Sequence, residues 1–147
     1  MQPYYCAIEE LPGLKSTDIK LLKINGIIGT KELIEQTSTI QKRQLLANRL
    51  QLKIEYVNKW LALADLSRIP SVNHRYCGLV LHSGIASVSQ LAETPIGRLH
   101  QQVLRLSVAT TRRKDLSPSV EIVRQWIKEA KLLVESSKIK IGKKKAR

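Results

Sequence analysis

A proline-containing turn occurs twice in this chain, and the second occurrence repeats the landmarks that follow the first. Leu11-Pro12-Gly13-Leu14-Lys15-Ser16-Thr17-Asp18 is answered 58 residues later by Ile69-Pro70-Ser71-Val72-Asn73-His74-Arg75-Tyr76. At the same offset, Leu22-Lys23-Ile24-Asn25-Gly26-Ile27 is answered by Val80-Leu81-His82-Ser83-Gly84-Ile85. Lys31-Glu32-Leu33-Ile34-Glu35 is likewise answered by Ser89-Gln90-Leu91-Ala92-Glu93. Proline interrupts any preceding helix, and glycine supplies the left-handed residue that ends one. The constant register therefore predicts a duplicated unit of turn, helix, glycine turn and helix.

Within the first copy, Ser16 or Thr17 is expected to cap a helix that turns Ile19, Leu21 and Leu22 inward and ends at Asn25-Gly26. Thr30 is expected to cap the next helix, and Thr37-Ser38 the one after it. Ile54, Val57, Leu61 and Ala64 mark a fourth helix by their spacing, with Trp60 on its flank. In the second copy the register changes. Val57-Asn58-Lys59-Trp60 is answered by Val123-Arg124-Gln125-Trp126, now 66 residues away. Eight residues are thus inserted in the second half, and the polar, basic stretch 108–116 is the natural place for a loop. Ser117-Pro118 is read as the start of the final helix. Residues 1–7 read as a lead-in strand or arm, and 136–147 as a disordered basic tail. The chain divides into a first unit at 8–66, a second at 67–135 and that tail.

The core must be aliphatic, because aromatic residues are 4% of the chain and there is no Phe. Abundant Leu, Lys, Gln and Glu with few Gly and Pro favour an all-α fold. No apolar run reaches the roughly 18 residues that a membrane span requires. The N-terminus lacks a signal-peptide layout, and two cysteines are too few for a disulfide scaffold, so a cytoplasmic setting is expected.

Net charge is +13, and six of the 25 cations lie in residues 138–147, where there is no acid. Such a field draws polyanions. The Arg112-Arg113-Lys114 stretch and the Lys143-Lys144-Lys145 run are candidate anion contacts, or else solvated charge. Trp60 and Trp126 hold matching places on apolar stripes and are expected in the core rather than as stacking platforms for bases. Catalytic signals are absent: there is no phosphate-cradling GxxxxGK[ST], no paired-carboxylate pattern and no nucleophile motif around Cys6 or Cys77. His74, Cys77 and His82 fall short of the four ligands of a structural zinc site, so no metal or cofactor is expected.

Leu11-Pro12-Gly13-Leu14 with Gly26-Ile27 one helix later resembles a helix-hairpin-helix motif. Ala64 through Pro70, Gly84-Ile85, Leu91-Ala92 and Trp126 through Lys131 are similar to an uncharacterised "domain of unknown function" family common in photosynthetic bacteria. The resemblance implies two tandem helix-hairpin-helix, SAM-like units packed as a pseudo-two-fold bundle. It also implies a non-enzymatic, sequence-nonspecific nucleic-acid-binding module, with DNA the expected partner. In such motifs backbone amides after a glycine-containing turn hold a phosphate. Carried over residue by residue, Gly13, Leu14, Lys15, Ser16, Thr17 and Lys20 would form one cradle. Ser71, Val72, Asn73, His74 and Arg75 would form a second. Lys15 stands where the motif's second glycine belongs, and Ser71 and Asn73 replace both glycines in the other copy. Those departures leave open an alternative, a protein-interaction or scaffold module that binds an acidic partner through degenerate hairpins. A third reading, a peripheral membrane protein held by its basic tail, has no lipidation signal behind it. Oligomeric state is left undetermined.

Overall fold

The computed structural model describes the backbone of residues 1–111 and 117–145, and the side chains of 1–109 and 117–138. Among the described residues the chain is all-helical. A single turn of 3-10 helix at Ile8–Glu10 precedes eight α-helices: α1 (Ser16–Ile24), α2 (Thr30–Gln36), α3 (Ile40–Leu50), α4 (Ile54–Ser67), α5 (Asn73–His82), α6 (Val88–Glu93), α7 (Ile96–Thr111) and α8 (Val120–Lys145). Helices α5, α6 and α7 begin within two residues of where a 58-residue shift of α1, α2 and α3 would start them. Helix α8 begins 66 residues after α4.

The glycine turns recur in detail. Gly26 and Gly84 have φ of +81° and +98°, in the left-handed region that glycine enters without cost. Behind each, the amide of the following isoleucine reaches back to close the helix: Ile27 to the Leu22 carbonyl at 2.9 Å, and Ile85 to the Val80 carbonyl at 3.3 Å. Those two isoleucines are buried, so the closing turn also delivers a core residue.

Caps fall one to two residues from where composition alone places them. Lys15, not Ser16 or Thr17, precedes α1, and its amide is taken by the Asp18 carboxylate at 3.2 Å. Gly29 precedes α2, while Thr30 turns its hydroxyl to accept the Cys6 amide at 3.0 Å. Thr39 caps α3 through the Lys42 amide, and Ser119 caps α8 through the Ile122 amide. The arm makes one antiparallel bridge, Ala7 to Gly29, and the Tyr4 amide donates to the Arg68 carbonyl at 2.8 Å.

Helix α4 is the structural centre. It packs against α2, α3 and α5, and its run Trp60-Leu61-Ala62-Leu63-Ala64 is apolar around more than one face. A helix buried on several sides needs that all-round pattern. Its Asp65 carboxylate accepts from the Val88 amide at 2.8 Å and is gripped by Arg68, so one side chain ties α4 to the start of α6. In the second half α8 packs against α6 and α7, while α5 also meets α7. Both tryptophans are in the core, as their stripes require.

Two segments differ from the reading by composition. Residues 108–111 continue α7 rather than starting a loop. The tail expected to be disordered continues α8 as far as Lys145. Once packing has nucleated a helix, each added residue contributes a hydrogen bond, and lysines at a C-terminus complement the helix dipole. Residues 112–116, which include Arg112, Arg113 and Lys114, lie outside the described residues.

Candidate anion-binding site at the first proline turn

The turn before α1 is open. Gly13, Lys15, Ser16, Thr17 and Lys20 are exposed, and Leu14 is half-buried. Gly13 has φ +82°, which bends the chain so that the following amides run along the start of α1. Among the described residues, the amides of Gly13, Ser16 and Thr17 donate to no group of the protein, whereas that of Lys15 is held by Asp18. Unpaired amides at a helix start are the partial positive charges that an anion meets.

Helix α4 adds a cation that the sequence reading missed. The Lys59 ammonium nitrogen lies 3.9 Å from where a β-carbon on Gly13 would stand, and the Leu63 Cδ1 is equally close. Lys59 is exposed, and among the described residues no carboxylate forms an ion pair with Lys15, Lys20 or Lys59. The site is thus a shallow surface of amides with three cations on it and one acid, Asp18, at its edge.

The second turn has the same place in its unit and the opposite chemistry. The Ser71 amide donates to Glu129 Oε1 at 2.9 Å, and the Ser71 carbonyl accepts from Trp126 Nε1 at 3.2 Å. Asn73 stands at φ +44°, so its tolerance of left-handed geometry is used. Its side chain donates to the Pro70 carbonyl at 3.0 Å and accepts the Arg75 amide at 2.8 Å. The amides of Val72 and Asn73 both donate to the Ile69 carbonyl, and the Val72 side chain is buried. His74 meets the Tyr4 hydroxyl at 2.9 Å, and Arg75 lies over the Tyr76 ring. The expectation of an equivalent amide cradle at Ser71–Arg75 is therefore revised. A carboxylate of the chain already takes the Ser71 amide, and Gln125 donates to its other oxygen at 2.6 Å.

The 66-residue offset explains the contrast. It places Gln125 opposite Lys59 and Glu129 opposite Leu63. The first copy thus has a cation and an apolar residue under its turn, and the second has an amide and an acid. The offset pairs Lys59 with Gln125, and the packing of α4 beneath the first turn is what brings Lys59 to Gly13. For Glu129, a test separates acceptor from charge. Glu129→Gln keeps an oxygen for the Ser71 amide and is expected to cost under about 1 kcal/mol, whereas Glu129→Ala orphans that amide and costs about 1–3 kcal/mol. Urea unfolding followed by circular dichroism measures both.

Other predicted contacts fall elsewhere. The backbone of Lys143, Lys144 and Lys145 forms the end of α8, and their side chains lie outside the described residues. Cys77 is buried and donates to the His74 carbonyl at 3.6 Å; burial pushes its thiol up to about 12, which disfavours the thiolate. No described helix is long and apolar enough to cross a membrane.

These features define an all-helical chain in which short helices alternate with tight, amide-presenting turns. By its sequence the chain belongs to the family described as Domain of unknown function (DUF4332), whose family model matches residues 12–133. The matched span begins at Pro12 of the first turn and ends within α8. No curated protein matches the chain, and no solved structure does.

Proposed function

We propose that this chain is a non-enzymatic module that binds the phosphodiester backbone of nucleic acid, without base readout, at the turn before α1. One observation carries the reading: the amides of Gly13, Ser16 and Thr17 are open beside Lys15, Lys20 and Lys59, while at the matching turn Glu129 takes the Ser71 amide. That the chain itself closes the matching turn with a carboxylate supports an anion as the group the open turn accepts. Backbone amides and lysines contact phosphate and carry no sequence information, so duplex DNA of any sequence is the expected ligand. The net charge of +13 supplies long-range attraction.

Fluorescence anisotropy with a labelled duplex tests this. With three to five phosphates contacted, log affinity should fall against log salt with a slope of about −3 to −5. Absence of binding near 50 mM salt would remove the proposal.

A second reading has its own observation. A cleft of about 520 Å³ between α6, the start of α7 and α8 is lined by Pro95, Ile96, Ile127 and Leu132, with the three cations Arg124, Lys128 and Lys131 and the two acids Glu93 and Glu135. An acidic, amphipathic segment of a partner protein fits that chemistry. Binding of an acidic peptide that survives Lys15→Glu, in a protein that does not bind DNA, would favour it.

A further inference from the structure

Away from the hairpin amides, the arm, the 3-10 turn and the start of α5 bring three different donor groups together. The ligand atoms of Cys6, Glu10 and His74 all lie within 4.8 Å of one another, and His74 Nδ1 is 3.9 Å from Glu10 Oε2. We propose that these three side chains bind one divalent transition-metal ion of zinc chemistry.

The donor set selects the ion. A thiolate, an imidazole and a carboxylate together suit zinc, whereas calcium and magnesium favour oxygen alone. Three protein ligands leave a fourth tetrahedral position for water. The charges balance as well: one thiolate and one carboxylate neutralise a divalent cation, and the imidazole binds in its neutral form.

The three groups are held from different directions. Cys6 is fixed at both of its backbone groups, because its amide donates to the Thr30 hydroxyl and its carbonyl accepts the Thr30 amide at 2.9 Å. Glu10 ends the 3-10 turn, its amide bonded to the Ala7 carbonyl at 3.0 Å, and its half-exposed side chain reaches toward His74, Tyr4 and Cys6. His74 sits in the first turn of α5. Rotation of the Glu10 side chain, with small shifts of the other two, brings 4.8 Å separations down to the roughly 3.5 Å edge of a tetrahedral site. Tyr4 forms the outer layer. Its hydroxyl is 2.9 Å from His74 Nδ1 and also bears on Cys6 and Glu10, so it can turn to the carboxylate when the imidazole nitrogen takes the ion.

Burial and the Glu10 charge both hold the Cys6 thiol in its protonated form in the ion's absence. Binding displaces that proton to solvent while the sulfur–metal bond forms, so about one proton is released per ion near neutral pH. The ion would cross-link the arm to α5 and thereby join the two halves of the chain.

Cobalt(II) added to the full chain is the probe, with zinc as competitor. The expected result is a near-ultraviolet thiolate-to-cobalt band with visible bands of tetrahedral intensity, saturating at one equivalent and abolished by zinc. Cys6→Ser should lose the thiolate band and His74→Ala should weaken binding more than tenfold, while Cys77→Ser retains the band. Tyr4→Phe, which keeps the ring, should weaken binding about tenfold. Circular dichroism of each variant confirms folding, and Glu10→Gln, at a half-exposed position, provides a ligand change that spares the core. A folded wild-type protein without the thiolate band overturns the proposal, and so does a band that survives Cys6→Ser.

Discussion

Trp126→Ala is expected to destabilise the chain by about 3–5 kcal/mol, the range for deleting a large buried aromatic residue. Trp126 is fully buried at the second turn, its ring 5.4 Å from that of Tyr76 and its indole nitrogen on the Ser71 carbonyl. Truncation removes the ring contact with Tyr76 of α5 and leaves that carbonyl without its donor. Native domains are stable by only about 5–15 kcal/mol, so the loss is a large share of the total. Trp126→Phe separates the two contributions, since it keeps most of the area and discards the hydrogen bond; it should cost about 1–2 kcal/mol beyond the volume change. Urea denaturation monitored by far-ultraviolet circular dichroism reads both values. A cost below about 1 kcal/mol for the alanine variant would mean that the indole does not organise the second turn.

The second large effect concerns binding. The double variant Lys15→Glu, Lys59→Glu is expected to lower affinity for a labelled duplex about 100-fold at 50 mM salt. Losing two phosphate contacts should also flatten the salt slope by about 2, because each contact contributes about 0.9. Equal change in net charge at α3, through Lys42→Glu with Arg49→Glu, provides the comparison. Those two positions act only through the long-range field, which salt screens over about 10 Å, so affinity should fall less than tenfold there. Equal losses from the two pairs would show that charge alone binds the duplex and that the open amides do not.

Much of the helical scaffold was readable along the chain. Gly26 and Gly84 announce themselves because only glycine takes a left-handed turn without strain, and the core isoleucine after each follows from that turn. Trp60 and Trp126 revealed the change of offset from 58 to 66, and α4 and α8 begin at that spacing. The helix caps were less legible. Ser16, Thr17, Thr30 and Ser38 all have the chemistry of a cap, but Lys15, Gly29 and Thr39 hold the positions, since the packing of the preceding turn sets where a helix starts. The end of α8 was misread because a basic, weakly apolar stretch has no periodicity of its own and takes its conformation from the helix it extends.

For the sites, spacing along the chain was a poor guide. His74, Cys77 and His82 stand close in sequence, but Cys77 turns into the core while His74 faces the arm, so the group that assembles is His74 with Cys6 and Glu10. The two proline turns look alike, but Glu129, 58 residues beyond Ser71, decides which of them has its amide taken.

Local order along the chain thus determined the helices, their turns, the aliphatic core and the sign of the surface charge. Each of these depends on the conformational limits or burial of residues a few positions apart. Only the tertiary structure decided which turn stays open, which lysine stands beside it and which cysteine meets a histidine. Those outcomes hang on single side chains approaching within a few ångströms from helices distant in sequence, and no periodicity records such an approach.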